Sequence, residues 1–546
     1  MDYDFLKEVP TMTPPDPRLE CERLLVEAGR HAADMRFSDA ETCYRQVVAL
    51  DPMRAEAYFG LAQLAVMAAN GEQCERFSEM ALTINRHNHA YHFVYGMAQG
   101  MLGNLDHAMA AYRRALRLNP GAIQPMMNLI FTADLHPSTT PEYALALRRE
   151  FDERFCKPYM NSAREAIGPF KNRPDPNRRI RIGYVSGDFR AHSAAAAFWP
   201  IIDGHDSEQF EVYLYSTHNP PDGADQREQF MKVANWRDLE NASPGEQAQE
   251  IADDKIDMLV DLSGFTAGSA LQAFALKPAP IQISAWGYIS GTGMTAMDYL
   301  FADAVTVPES HEPWYAERVI RMPAIFPYAH DTAPEIRTPA PFERNGHMTY
   351  GYLGRGTKIS AATLDAWAMV LRADETARMM LKSDSYRQKE MQRLVINGLL
   401  ARGVDDSRVT VLLGTSREEH LLAHNDVDVI LDTIPQTGGI STCDALLMGV
   451  PVVTLLGQRI PERVSGAILT SLGLTALVCE TVDEYAQTGL SLRPTAEDRN
   501  AIRQKLGQSP LLDHDGYCRA VETAYRTLFR GWCAEQTKQR ESEAAA

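Results

Sequence analysis

The stretch DTIPQTGGISTCDALLMGVPVVTLLG, from Asp432 to Gly457, sets two glycines and two hydroxyl residues between apolar runs. Upstream, DVDVILDTI is short, β-branched and mostly apolar, the pattern of a buried strand. CDALLMG reads as a short helix with Ser441 or Thr442 as its N-cap and Gly449-Val450-Pro451 as its stop. VPVVTLL is the next strand. Gly438 and Gly439 then occupy a strand-to-helix turn, where backbone can come close to a ligand. A helix N-terminus at that point offers N–H groups and a positive dipole end to a phosphate. A plain tight turn of an α/β sheet would have the same composition, and these residues alone do not separate the two.

The elements around this turn repeat in kind. From Arg179 onward short apolar strands alternate with helices: RIRIGYVSGDF, FEVYLYSTH, IDMLVDLSG, IQISAWGYI and YLFADAVTV. A second series follows: MTYGYLGR, ARMMLKS, RVTVLLGT, DVDVILDTI, VPVVTLL and LTALVCE. Two successive sets of parallel strands predict two Rossmann-like lobes at 179–335 and 336–530, joined by the hinge PYAHDTAPEIRTPAPFERNGH. Ligand then belongs in the cleft between them, at the carboxyl ends of strands. Neither lobe carries a GxGxxG or Walker loop, which disfavours dinucleotide and P-loop chemistry.

Before the lobes the chain is helical and repetitive. Ala40, Tyr44 and Pro52 recur as Ala108, Tyr112 and Pro120, each 68 residues later, twice the tetratricopeptide period of about 34 residues. Three units at 21–54, 55–88 and 89–122 follow, the middle one weak. Small residues at Gly96, Ala108 and Ala115 allow close helix packing, with Tyr112 filling the gap between units. A further helix pair extends this domain over 18–160. The Pro- and Arg-rich GPFKNRPDPNRR marks a linker at 161–178, and 531–546 reads as a disordered tail.

Composition narrows the partners. The 546 residues carry 54 basic and 72 acidic side chains, a formal charge of −18, which argues against a general nucleic-acid binder. No apolar run is long enough to span a bilayer, and the N-terminus lacks the basic and apolar regions of a secretory signal. No pair of the eight cysteines has metal-ligand spacing, so reduced thiols in a cytoplasmic protein are expected.

The strings IRIGYVSGDFRAHS, DMLVDLSGFTAGSALQAFALKPAPIQISAWGY, MDYLFADAVTVP and DVILDTIPQTGGISTCDALLMGVPVVTLLG, with SREEHL, resemble the protein O-linked N-acetylglucosaminyltransferases and SPINDLY-like proteins. The resemblance covers about residues 20–530 and matches their order of repeats and lobes. It implies an α/β GT-B fold of two Rossmann-like lobes preceded by an all-α tetratricopeptide domain. By the same resemblance, Lys358 in GRGTKIS falls on the family lysine that binds the UDP diphosphate, and Arg355 lies near the nucleotide. Arg417 and His420 match residues at the nucleotide base, Gly438, Gly439, Ser441 and Thr442 form the phosphate turn, and Asp444 matches the carboxylate on the ribose diol. His192 matches the active-site histidine near the acceptor, with Asp188 placed to orient it.

Departures from the family pattern leave the phosphate machinery supported but the donor sugar and the acceptor open. Gly439, Ile440 and Ser441 replace His-Thr-Thr, Asp257 replaces a second active-site histidine, Ile289 and Ser290 alter the Gly-Tyr-Pro-Gly string, and Phe265 stands where bacterial relatives often have histidine. The reaction implied is inverting transfer of GlcNAc from UDP-GlcNAc to Ser/Thr hydroxyls of a protein. Lys358, Arg417 and the helix N-terminus would together stabilise charge on the departing diphosphate. Acceptor deprotonation is open to His192, a donor phosphate oxygen and water. No metal and no cofactor beyond the nucleotide sugar are implied. The rivals are another donor, GDP-fucose or a nonulosonic acid, and an inactive repeat scaffold. The repeats would dock a protein acceptor or a second subunit, which admits a homo-oligomer.

Overall fold

The computed structural model describes residues 16–220, 224–330 and 333–545. The leader reading at residues 1–15 and the hinge residues Asp331 and Thr332 lie outside them. Tertiary contacts divide the chain into two units, at Pro125.

The first unit consists of helical hairpins: Pro17–Ala33 with Phe37–Leu50, Ala55–Met67 with Gly71–Ile84, and His89–Met101 with Leu105–Leu118. The second helices begin at Phe37, Gly71 and Leu105, 34 residues apart, the tetratricopeptide period. Close packing needs the small residues. A Cβ on Gly60 would sit 2.3 Å from the Tyr44 ring of the preceding hairpin, so Tyr44 fills a gap between units. Tyr112, expected between units, lies over Gly96 of its own hairpin, where a Cβ would meet it at 2.5 Å.

The second unit holds two parallel sheets. The first has strands β1 (Ile180–Ser186), β2 (Phe210–Ser216), β3 (Asn235–Asp238), β4 (Met258–Asp261), β5 (Ile281–Ser284), β6 (Tyr299–Ala302) and β7 (Arg318–Arg321) in the order β3-β2-β1-β4-β5-β6-β7. The other has β8 (Thr349–Tyr352), β9 (Arg378–Ser383), β10 (Val409–Leu413), β11 (Val429–Leu431), β12 (Val452–Leu455) and β13 (Val478–Cys479) in the order β10-β9-β8-β11-β12-β13. Each is a doubly wound arrangement whose order reverses beside β1 or β8, so ligand crevices open after β1 and β4 and after β8 and β11. The edge strands β3 and β7 escape the sequence reading because they are short and polar, with no residue fully buried.

Three boundaries differ from expectation. Helices Ile123–Leu135 and Pro141–Phe151 were expected with the repeats, yet residues from Met126 onward cluster with the lobes. The cause is a buried polar network. Arg148 donates to both oxygens of Asp134 at 2.7 and 2.8 Å, to the Gly291 carbonyl at 3.2 Å and to the Tyr288 hydroxyl at 3.1 Å. Tyr288 in turn donates to Asp134 at 2.5 Å. Gly293, at φ +69°, lets the loop approach, since a Cβ there would lie 2.4 Å from that of Arg148. Helix Lys157–Ile167 also extends into the expected linker.

The last helix, His514–Ala545, runs through the expected tail. Its helix formers are anchored by buried Phe529, Trp532 and Cys533. It leaves the second lobe to pack on the first, where Trp286 donates to the Tyr517 hydroxyl at 3.0 Å and Tyr525 meets Tyr184 at 3.1 Å. Among the described residues no helix is long and apolar enough to cross a membrane.

Arg148→Ala should destabilise the second unit by about 3–5 kcal/mol in denaturant melts, because Asp134 is left buried without its partner. A change within about 0.5 kcal/mol would mean that the network does not hold these helices to the lobes.

Candidate functional site

The turn after β11 hangs from one carboxylate. Buried Asp432 accepts the Thr433 amide at 2.9 Å, the Gly438 amide at 3.0 and 3.2 Å, and the Thr454 hydroxyl at 2.9 Å. Burial pushes its pKa up, with Ser465 and the Lys358 charge opposing. From behind, Ser465 donates its hydroxyl to the Gly438 carbonyl at 3.2 Å and its amide to the Thr437 hydroxyl at 3.2 Å. At the near end, Thr363 bonds both the carbonyl and the amide of Ile434 at 2.9 Å.

Helix Ile440–Leu447 begins at Gly439 without a side-chain cap, so the expected cap at Ser441 or Thr442 is absent. The Gly439 carbonyl already accepts from the Thr442 and Cys443 amides at 3.0 and 3.1 Å, and the Thr442 hydroxyl turns inward to Ser465 at 2.7 Å. Ser441 sits half-buried in the first turn. Uncapped N–H groups at such a terminus suit an anion. Of the two glycines only Gly438 is sterically required: a Cβ there would lie 2.2 Å from Thr442 Oγ1, whereas one on Gly439 would have nothing nearer than 3.7 Å.

Lys358 reaches this turn from the loop after β8. A short turn, Gly356–Lys358, and the Ser360 cap of helix Ala361–Ala373 set its direction. Its ammonium donates to the Thr437 carbonyl at 2.7 Å. Burial pushes its pKa down to about 7, with the Arg355 charge adding and Asp432 opposing. Arg355 itself is exposed.

Beyond the helix start a second cluster forms. Arg417, at the N-terminus of helix Arg417–Ala423, donates both guanidinium nitrogens to buried Asp444 at 2.6 and 2.7 Å and a further bond to the Tyr328 hydroxyl at 3.0 Å. Tyr328 also donates to Asp444. His420 Nε2 lies 3.9 Å from the same carboxylate. Burial lowers the His420 pKa, with Asp444 opposing and Arg417 adding. Arg417, expected to converge on the diphosphate, is thus paired with Asp444; a bidentate fork on a buried carboxylate fixes its direction.

On the first lobe, His192 follows β1 with Nδ1 3.4 Å from Asp188 and 3.3 Å from the Ala194 amide. Burial lowers its pKa, Asp188 opposes, and Arg190 and Arg355 lower it further. The Arg355 charge therefore lowers the pKa of both Lys358 and His192, one on each lobe. Asp257 does not join them. It precedes β4, at the end of the sheet away from the crevice, and takes Arg178 at 2.7 Å and the Arg181 amide at 2.9 Å. Phe265 is likewise buried, edge-on to Phe151 at 5.0 Å.

Two residues escaped the sequence reading as site residues. Asp432 closes a strand string, and an aspartate directly ahead of a glycine turn was the available signal. Tyr328 lies in the hinge, 116 positions from Asp444, and no local pattern announces that bond.

Gly438→Ala should cost about 1–3 kcal/mol in denaturant melts, since Thr442 is tied to Ser465 and cannot yield. Gly439→Ala should stay within about 0.5 kcal/mol. Equal effects would contradict this assignment of the turn.

With this geometry in place, known proteins offer a comparison. The model of glycosyl transferase family 41 matches residues 162–333 and 345–521. A Hordeum vulgare relative named "Probable UDP-N-acetylglucosamine--peptide N-acetylglucosaminyltransferase SPINDLY" is 31% identical over 70% of this chain and 41% of its own. One of the same name from Oryza sativa is 29% identical over 78% of this chain and 46% of its own. The chain thus spans less than half the length of these curated relatives. The solved Thermobaculum terrenum O-GlcNAc transferase mutant superposes with a TM-score of 0.87 at 28% identity, covering 96% of this chain and all of that one. Matched by that model over both lobes, this chain belongs to glycosyl transferase family 41.

Proposed function

We propose that this protein transfers GlcNAc from UDP-GlcNAc to serine or threonine hydroxyls of a protein acceptor, with inversion, in the cytoplasm. The observation that carries this reading is the Lys358 ammonium at 2.7 Å from the Thr437 carbonyl, beside the uncapped start of helix Ile440–Leu447. A cation and a helix N-terminus converge where a diphosphate would leave. The relatives' names, with UDP-N-acetylglucosamine as donor and peptide as acceptor, support the same substrates. Eight free buried cysteines support a reducing compartment.

In the reaction, the acceptor oxygen bonds to the sugar C1 as the bond from C1 to the diphosphate oxygen breaks. Negative charge grows on the diphosphate, and Lys358 and the first-turn amides stabilise it. Asp444, held by Arg417 and Tyr328, is placed to accept from the ribose hydroxyls, and His420 flanks the base. His192 is on the opposite lobe. A pKa lowered by burial keeps the His192 ring neutral and able to take the acceptor proton, and the Asp188 carboxylate 3.4 Å from Nδ1 favours the charge that then forms.

The depressed Lys358 pKa gives a pH signature. Free Lys358 loses its proton as pH rises through about 7, whereas bound diphosphate favours the ammonium. UDP binding at pH 8 should therefore take up about 0.9 proton, and affinity should fall up to about tenfold per pH unit above 7. Calorimetry in buffers of different ionisation enthalpy reads the uptake. Lys358→Met should abolish it and reduce UDP release on a protein acceptor about 100- to 1,000-fold, with unchanged melting. Unaltered turnover in this variant would remove Lys358 from the mechanism.

The repeats are read as an acceptor dock that raises the local concentration of target hydroxyls. Because the Arg148 network belongs to the lobes, the informative truncation removes residues 1–121. It should spare UDP-GlcNAc hydrolysis and reduce transfer to the natural protein acceptor at least about tenfold. A soluble truncation that modifies the acceptor at the full rate would contradict docking.

A further inference from the structure

The first helical hairpin carries a side-chain cluster that hydrogen bonding leaves unexplained. Glu27 and His31 stand four residues apart on Pro17–Ala33, and Asp39 and Cys43 stand four apart on Phe37–Leu50. Residues so spaced share a helix face, and the short connection through Met35 folds the two faces together. Ligand atoms of Glu27, His31 and Cys43 all lie within 4.8 Å of one another.

The pairings are not hydrogen bonds. His31 Nε2 is 3.7 Å from Glu27 Oε1, and Nδ1 is 3.9 Å from Asp39 Oδ2, both beyond hydrogen-bond reach. Yet Nδ1 is shielded from solvent and, among the described residues, has no partner. An orphaned buried ring nitrogen is costly unless something else satisfies the ring. Cys43 is a buried free thiol. Glu27 Oε2 accepts from the Arg23 guanidinium at 2.6 Å, which leaves Oε1 facing the imidazole. A comparable group, His205, Cys518 and Glu522, differs on this point. There His205 Nδ1 is 3.1 Å from Glu522 and Nε2 is 2.8 Å from the Tyr184 hydroxyl, so ordinary bonds account for it.

We propose that Glu27, His31 and Cys43 bind a divalent transition-metal ion, with Zn²⁺ the best match, and that Asp39 orients the histidine from behind. One thiolate, one imidazole and one carboxylate are the ligand types zinc takes, and water completes a four-coordinate shell. Zinc–ligand bonds of about 2.0–2.3 Å in a tetrahedron set donor separations of about 3.3–3.7 Å, which side-chain rotation can reach from the present positions. On binding, the Cys43 proton passes to solvent and the sulfur bonds the metal. His31 ligates through Nε2, and its Nδ1–H, now fixed by tautomer, gains the Asp39 carboxylate as acceptor. Such a carboxylate behind a ligating imidazole is the usual device for holding the ring. The ion would cross-link the two helices of this hairpin. This site lies outside the transfer machinery and does not depend on the proposed activity.

Cobalt(II) is the probe. Titrated into the full-length, reduced protein, it should give a thiolate-to-metal charge-transfer band and the strong visible bands of a four-coordinate ion, saturating at one equivalent and displaced by zinc. Cys43→Ser should abolish the charge-transfer band, and His31→Gln should weaken binding at least about tenfold. Cys518→Ser should leave the spectrum unchanged. Circular dichroism and melting of each variant establish that it is folded, and the two ligand changes lie on different helices, so one is informative if the other misfolds. A band that persists in folded Cys43→Ser, or follows Cys518, would overturn the assignment. So would the absence of any cobalt–thiolate band in the native protein.

Discussion

Each lobe is organised around one strand bracketed by two buried aspartates. In the first, Asp257 and Asp261 flank the strand Met-Leu-Val; in the second, Asp428 and Asp432 flank Val-Ile-Leu. The leading aspartate ties down the start of the neighbouring central strand: Asp257 accepts the Arg181 amide at 2.9 Å, and Asp428 accepts the Thr349 amide at 2.8 Å. The trailing one holds the next loop, Asp261 through the Ser263 and Gly264 amides at 3.1 Å and Asp432 through Thr433 and Gly438. Burial pushes Asp261 up to about 6 and raises Asp432 as well. A carboxylate tolerates such a place only when amides satisfy it. The crevice loops therefore start from fixed points, and site precision follows from them.

From that constraint the electrostatics of the cleft can be read. Lys358 is held where its charge is disfavoured, by burial and by Arg355, with Asp432 and a carbonyl in support. Under the proposed function, the diphosphate would relieve this tension, and binding energy would be directed to it. Arg417 is arranged in the opposite way: already satisfied by Asp444 and Tyr328, it adds rigidity rather than an unmet charge. The two cations thus have different tasks, decided by their partners and not by their residue types.

The lobes are joined in more than one place. Tyr328 in the connector bonds to Asp444 of the second lobe, its amide bonds to the Leu511 carbonyl at 2.7 Å, and Ala329 bonds to Ala196 of the first at 2.8 Å. The final helix returns from the second lobe to Trp286 and Tyr184 of the first. Arg459, after β12, donates to the Ala133 carbonyl at 3.0 Å, which binds the helices ahead of the lobes to the second sheet. Arg148 does the same for the first sheet. These helices brace the two lobes.

Local pattern determined a good deal by itself. Period-two and continuous apolar runs predict eleven of the strands, the 68-residue shift predicts the helical repeat, and the Asp432–Gly457 string predicts the strand–turn–helix at the crevice, because each depends on residues close together in the chain. The edge strands β3 and β7 were illegible, since their pairing comes from neighbours and not from their own polar residues. Tertiary structure alone decided the rest: that Asp257 staples the far end of a sheet, that Thr442 turns inward and Gly439 opens the helix, that Arg417 pairs with Asp444, and that the helices from Ile123 onward pack on the lobes. These outcomes turn on partners many positions away in sequence, and a side chain's role is set by the charge and hydrogen bonds it meets on folding.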